Sequence, residues 1–250
     1  MIHSAQRRYL ASVVPNPCEL TGPGRADSQM ILLRYLRDLG KPAAKVLGAA
    51  DTKPRVLNVG GGSKDIPLPQ HYANWRHDLL DIDPKGKPDV TCDARELHTL
   101  AASQYDAVYC SHNLEHYYQH DGARVLKGFL HVLKPGGFAE LRVPDMNTVM
   151  KEVVESGLDI EDVLYQSPSG PISVRDVFYG YAKQIESSGM DFYAHKTGFT
   201  VKSLRALLVR SGFPNVYVFV VEEAFEIRAV AFKKEPTSAQ HVLLGLPASA

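Results

Sequence analysis

Arg55-Val-Leu-Asn-Val-Gly-Gly-Gly-Ser63 decides how this 250-residue chain is read. A short apolar run that stops in three glycines is the pattern of a buried parallel strand, and Gly60, Gly61 and Gly62 let the backbone turn with no Cβ in the way. Bare backbone at the carboxyl end of a first strand is where open α/β sheets take nucleotide-like ligands. A glycine turn alone also serves as a plain connector, so the ligand-binding reading depends on partners further along the chain.

Those partners are a series of strand ends that carry polar side chains. Leu79-Leu-Asp-Ile-Asp-Pro84 is a second strand ending in carboxylates, at the distance at which a ribose-binding acid succeeds a glycine loop. Asp81, with Ile82 beside it, is the candidate for that role, and Asp83 before Pro84 is a turn residue. Asp89-Val-Thr-Cys-Asp-Ala94 is a third short strand ending in an acid, Asp93, which is also an ordinary cap for a following helix. Tyr105-Asp-Ala-Val-Tyr-Cys-Ser111 is a fourth, and it runs directly into His112-Asn-Leu-Glu-His116.

Composition fits this architecture. With 44% hydrophobic residues the chain can bury a full-sized core without staples. Its 28 basic and 28 acidic residues cancel, which leaves no basic footprint for nucleic acid and no polybasic segment for an anionic membrane. Cys18, Cys92 and Cys110 are odd in number and form no Cys-x-x-Cys pair, as in a reduced compartment. No apolar run approaches the ~18 residues of a membrane span, and the residues after Arg7 and Arg8 are too few for a signal-peptide core. A cytoplasmic location is the expectation. Nothing in the sequence sets an oligomeric state.

Along the chain, Pro15, Pro17, Gly22, Pro23 and Gly24 mark residues 1–25 as an irregular arm. A helix capped by Asp27 or Ser28 then runs until Gly40. After the glycine loop, Pro67 and Pro69 stand where an α/β unit begins its crossover helix, so any helix there is short and displaced. A helix from Asp121 ends at Lys134-Pro-Gly-Gly137, and Phe138-Ala-Glu-Leu-Arg-Val143 is a fifth strand. Another helix is predicted around 149–154. Residues 157–199 form an irregular excursion, with a helix over 174–186, of the kind that serves as a lid. Thr200 caps a helix ended by Gly212, and two strands joined by Glu222-Glu-Ala224 close the domain. The domain thus spans 26–233, and the tail 234–250 is expected to be mobile, with Val242 to Leu246 as a stretch that could dock.

Taken together, Val56-Leu-Asn-Val-Gly-Gly-Gly62, Ser111-His-Asn-Leu-Glu-His116 and Leu133-Lys-Pro-Gly-Gly-Phe138 resemble the class I S-adenosylmethionine-dependent methyltransferases, in their small-molecule (type 11-like) branch. The resemblance implies a Rossmann-like α/β three-layer sandwich. Its seven-stranded sheet would be parallel except for one antiparallel strand near the carboxyl end. It also implies that Gly60, Gly61 and Gly62 pass under the methionine part of S-adenosylmethionine, with Asn58 below, and that Asp81 and Ile82 take the ribose. Asp93 and Ala94 would meet the adenine, and Ser111 and His112 would line the pocket near the sulfonium. Asn58 stands where the family often has an acid, and Lys64 where it often has a third glycine.

His112 and His116 are the candidate bases, since imidazole titrates near working pH. Asn113, Glu115, Tyr117 and His195 are candidate acceptor contacts, with Tyr118, Tyr179, Tyr181 and Tyr193 as further walls. The same H-x-x-E-H spacing also matches an inverted zinc-protease pattern, but with no third ligand apparent no metal is assigned. The predicted activity is methyl transfer to an oxygen, nitrogen or carbon of a small-molecule or sugar-like acceptor. The alternatives are a non-catalytic, methyltransferase-like regulatory module and a nicotinamide-dependent oxidoreductase; Asp65 and the two prolines speak against the second.

Overall fold

The computed structural model describes residues 52–247. The expected arm over 1–25, the helix before Gly40 and Cys18 lie outside the described residues.

The glycine-flanked run forms β1 (Arg55–Val59). After a 3-10 turn at Gln70–Tyr72 come β2 (Arg76–Asp81), β3 (Val90–Thr91) and β4 (Tyr105–Ser111). Helix α1 (Gln119–Val132) leads into β5 (Leu133–Pro144) and α2 (Met146–Ser156). The excursion holds a hairpin of β6 (Val163–Ser167) and β7 (Gly170–Ser173), then α3 (Val174–Tyr179) and α4 (Ala182–Ser188). Helix α5 (Val201–Ser211), β8 (Asn215–Val221), β9 (Glu226–Phe232) and α6 (Ser238–Leu244) complete the order. The main sheet runs β3-β2-β1-β4-β5-β9-β8. Only β9 is antiparallel to its neighbours, as expected. The strand order reverses between β1 and β4, which places a ligand crevice at their carboxyl ends.

Alternation along the strands divides the core in two. Leu57, Val59, Val108 and Cys110 pack with α1 and α5 through Val125, Phe129, Leu204 and Leu208. Val56, Ala107, Tyr109, Phe138 and Phe232 face the other way, onto Tyr72, Leu244 and Leu246. Pro67 and Pro69 do displace the first crossover helix, and the aromatic 3-10 turn with Tyr72 and Trp75 covers the sheet in its place. Among the described residues no helix is long and apolar enough to cross a membrane.

Three expectations need correction. The tail is not loose from residue 234: Thr237 forms a capping box with Gln240, and α6 docks by burying Leu244 and Leu246 against that aromatic face. The helix expected over 174–186 breaks at Gly180, whose φ of 98° is not helical and whose place beside the Tyr193 carbonyl, 2.4 Å from any Cβ, admits only glycine. The strand after α1 starts at Leu133 rather than Phe138, since Leu133 already pairs with Tyr105 across a bulge.

A buried ion cluster ties this second face together. Glu140 on β5 is 0% exposed. It accepts hydrogen bonds from Arg228 Nε (2.7 Å) and Tyr72 (3.0 Å) and pairs with His71 Nε2 (2.8 Å). Arg228 in turn donates to the carbonyl of Leu244 at 3.0 Å, which joins α6 to the sheet. Burial by itself would raise the Glu140 pKa, but His71 and Arg228 outweigh it and lower the pKa from 4.5 to about 2. A carboxylate whose folded pKa lies below its unfolded value stabilises the fold fully above the unfolded value, and that contribution is lost as pH falls through the folded one. Acid unfolding is therefore expected to steepen between pH 4.5 and about 2, and Glu140→Gln should remove part of that slope. Glu140→Ala, which strands Arg228, should cost ~3–5 kcal/mol at neutral pH by denaturant titration.

Candidate active site

The turn after β1 is held from three sides. Gly60 and Gly62 have φ of 72° and 67°, a region L side chains rarely adopt. A Cβ on Gly60 would lie 2.1 Å from Asn113 Nδ2, and one on Gly61 2.0 Å from Asn58 Nδ2. A Cβ on Gly86 would fall 1.7 Å from the Gly62 carbonyl oxygen. Asn58 is thus the buried floor of the loop, 3% exposed, and Asn113 packs its amide against Gly60. Asp81 braces the far end: Oδ2 accepts the Gly62 N–H and Oδ1 the Asp83 N–H, each at 2.9 Å.

These residues open onto a cavity of about 240 Å³. Its walls include Gly60, Gly62, Asp81, Ile82 and Asp93 on one side and His112, Asn113, His116 and Tyr117 on another. The excursion adds Phe192, Tyr193 and Lys196. Tyr193 donates to Asp83 Oδ2 at 3.3 Å, and Lys196 Nζ stands 5.7 Å from the ring centre of Tyr118. The excursion is anchored beneath by the amides of Lys196 and Thr197, which donate to the Glu115 carbonyl at 2.8 and 3.1 Å. Tyr179, Tyr181, Ala94 and Ser111 are not on the cavity wall.

Asp93 is engaged locally. Its carboxylate accepts the Arg95 N–H at 2.9 Å as a cap and takes Arg95 Nε and Nη2 at 3.0 and 2.6 Å. Burial opposes its ionisation, but the bonds to Arg95 hold its pKa below the ordinary value. Of the two roles the sequence leaves open for Asp93, the structure displays the cap. Arg95, Asp121, Phe192 and Lys196 are wall residues that sequence reasoning missed. For Arg95 the only clue is its position two residues after Asp93.

His112 takes a non-glycine left-handed conformation (φ 48°). Its Nε2 lies 3.2 Å from Glu226 Oε2 and its Nδ1 3.5 Å from Glu115 Oε1. Glu226 also pairs with Arg142. Burial works against the charge on His112, yet the two carboxylates raise its pKa to about 10. Both ring nitrogens of His112 thus face carboxylates that favour its charged form, while its side chain stays 48% exposed. His116 lines the cavity and has only Nδ1 engaged, on the Ala194 carbonyl at 3.2 Å. Its ring lies 4.9 Å from that of His195. Glu115, expected at the acceptor, is 1% exposed and sits behind the wall. Burial raises the Tyr117 phenol well above its usual pKa, so it presents a hydroxyl to the cavity and not a phenolate. Cys92 and Cys110 are buried, in keeping with packed thiols.

Comparison with known proteins identifies the family. Residues 29–218 match the family model described as a methyltransferase domain. The chain belongs to that family, the class I S-adenosylmethionine-dependent methyltransferases. No curated protein matches it. Among solved structures, it is similar to an S-adenosylmethionine-dependent methyltransferase from Archaeoglobus fulgidus, with 16% identity over 72% of this chain and 86% of that one and a TM-score of 0.46. One from Mesorhizobium loti shows 19% identity over 72% and 91%, with a TM-score of 0.45. A third is the 1,6-didemethyltoxoflavin-N1-methyltransferase of Burkholderia thailandensis, solved with its substrate and S-adenosylhomocysteine, at 16% identity over 73% and 72% and a TM-score of 0.42.

The residues present fit the cofactor that the family implies. Gly60 and Gly62 bring bare backbone to the cavity wall, and Asp81 uses two of the roughly four lone-pair sites of a carboxylate on backbone amides, so it retains capacity for a diol. Gly60→Ala should cost at least ~1–2 kcal/mol from its left-handed backbone alone and more from the clash with Asn113. Gly136→Ala, with open space around it, should leave the thermal midpoint nearly unchanged.

Proposed function

We propose that the protein transfers the methyl group of S-adenosylmethionine to an oxygen, nitrogen or carbon of a small-molecule or sugar-like acceptor. The observation that carries this reading is the narrow cavity between the glycine loop and the segment bearing Phe192, Tyr193 and Lys196. Beyond the glycine loop its wall is closed by His116, Tyr117, Phe192, Tyr193 and Lys196, which favours a small acceptor over a macromolecule. The balance of 28 basic against 28 acidic residues points the same way.

When bound, S-adenosylmethionine supplies an electrophilic methyl group on a sulfonium. In this reading Asp81 accepts hydrogen bonds from the ribose hydroxyls, and the bare backbone of Gly60, Gly61 and Gly62 lies under the methionine chain above Asn58. The Arg95 guanidinium, held flat by Asp93, offers a face on which a purine can stack. Residues 157–199 act as the lid, with the Tyr193–Asp83 bond as its latch. On the acceptor side, Asn113, Tyr117 and His116 orient the nucleophile, with Glu115 and His195 supporting from behind. Much of the rate enhancement then comes from holding nucleophile and methyl group at contact distance with water excluded.

Titration calorimetry with S-adenosylmethionine and S-adenosylhomocysteine tests this directly. Both should bind, and Asp81→Ala should weaken each by at least ~10-fold, the ~1.4 kcal/mol scale of a hydrogen bond to a charged group. Unchanged affinity in Asp81→Ala would refute the ribose assignment. Tyr193→Phe should bind the cofactor and release it faster in stopped-flow displacement; an unchanged release rate would remove the latch.

A further inference from the structure

We propose that Glu115, His116 and His195 bind a divalent first-row transition ion at the acceptor side of the cavity. The three residues come from segments about eighty positions apart, yet their ligand atoms lie within 4.8 Å of one another.

Glu115 poses the problem that an ion would solve. It is 1% exposed, and neither carboxylate oxygen has a hydrogen-bond partner. His112 Nδ1, at 3.5 Å from Oε1, is near enough for attraction between charges but too far for a good hydrogen bond. A buried carboxylate with both oxygens unbonded is costly and rare, and an ion coordinated by it is one of the few arrangements that removes the cost.

Each histidine has one ring nitrogen committed to a backbone carbonyl. His116 Nδ1 meets the Ala194 carbonyl at 3.2 Å, and His195 Nδ1 meets the Val177 carbonyl at 2.8 Å. A carbonyl only accepts, so each ring donates from Nδ1 and keeps a lone pair on Nε2. Fixing the tautomer by a backbone carbonyl is the arrangement metal-binding histidines use. The backbone holds the set in place: His195 N–H donates to the Tyr179 carbonyl at 3.0 Å, and the next two amides donate to the Glu115 carbonyl. His112, linked onward to Glu226, is an outer partner of the Glu115 carboxylate.

The donor set selects the ion. Two imidazoles and one carboxylate suit zinc, cobalt, nickel or ferrous iron, whereas magnesium and calcium prefer oxygen. Metal–ligand bonds of ~2.0–2.2 Å put tetrahedral ligands ~3.4 Å apart, so binding draws the ligands inward by side-chain rotation. Three protein ligands leave positions open, and His116 connects the site to the cavity wall. An acceptor oxygen bound there would be both oriented and acidified. That use rests on the methyl-transfer reading above; ion binding does not.

The test is titration of metal-stripped, tag-free full-length protein with cobalt(II), monitored by d–d absorption, and with zinc by calorimetry. The expected result is one ion per chain. His195→Ala and His116→Ala should each weaken binding by more than ~100-fold, beyond the 10–100-fold that losing an outer partner costs. Glu115→Gln should do the same, and His98→Ala, on an exposed turn, should not. If Glu115→Gln fails to fold, the half-buried His195 carries the test. No stoichiometric binding by the wild type, or affinity unmoved by both histidine variants, overturns the site. S-adenosylhomocysteine affinity in the same samples reports separately on the methyltransferase reading, so the two can fail independently.

Discussion

The turn after β1 exists only because three positions carry no side chain. Asn58 and Asn113 occupy the space where Cβ atoms of Gly61 and Gly60 would be, and the Gly62 carbonyl occupies that of Gly86. Such close approach brings the ends of β1, β2 and β4 around one backbone bend. Asp81 then completes the bend by accepting an amide from each side of it. The Asp81 carboxylate and the loop with its bare backbone are therefore one packed unit, and the cavity is a consequence of that packing.

The opposite wall is built on a different principle. The segment after β4 carries a buried carboxylate, Glu115, whose backbone carbonyl is gripped by two amides of the excursion. That grip brings His195 beside His116 and holds Phe192, Tyr193 and Lys196 over the cavity. His112 is drawn the other way, into a charge cluster with Glu226 and Arg142, which joins this wall to β5 and β9. The backbone strain at His112 (φ 48°) is accommodated by that ion pairing and by its N–H bond to the Arg142 carbonyl.

The elements that sequence reasoning recovered are those whose cause is local. β1 and β4 are continuous apolar runs, α5 begins at a Thr200–Ser203 capping box and ends at Gly212, and β8 and β9 are separated by a turn too short for anything but an antiparallel return. The misreadings have non-local causes. Residues 174–186 have a helical pattern, but a crossing backbone at Tyr193 requires Gly180 to break it. The tail carries an apolar stretch, Val242 to Leu246, whose docking place is not readable from it; the sheet face left bare by the displaced crossover helix is where Leu244 and Leu246 bury. Among site residues, the glycines and Asp81 could be named because strand ends in such a sheet converge. The lining by Arg95 and Lys196 and the pairing of His112 with Glu226 could not, since each depends on partners from other elements.

What the sequence determined by itself was the class of sheet, the position of the crevice and the acids at its rim, because strand periodicity, glycine conformational freedom and turn chemistry act over a few residues and can be read one segment at a time. What the tertiary structure decided was the identity of the second wall. Which histidine is pinned by carboxylates, which keeps a free nitrogen, and that His195 joins Glu115 and His116 all depend on distances between segments about eighty residues apart. Electrostatics and hydrogen bonding act through space, and a chain that brings such segments together by burying its core leaves no periodic mark of their meeting in the order of its residues.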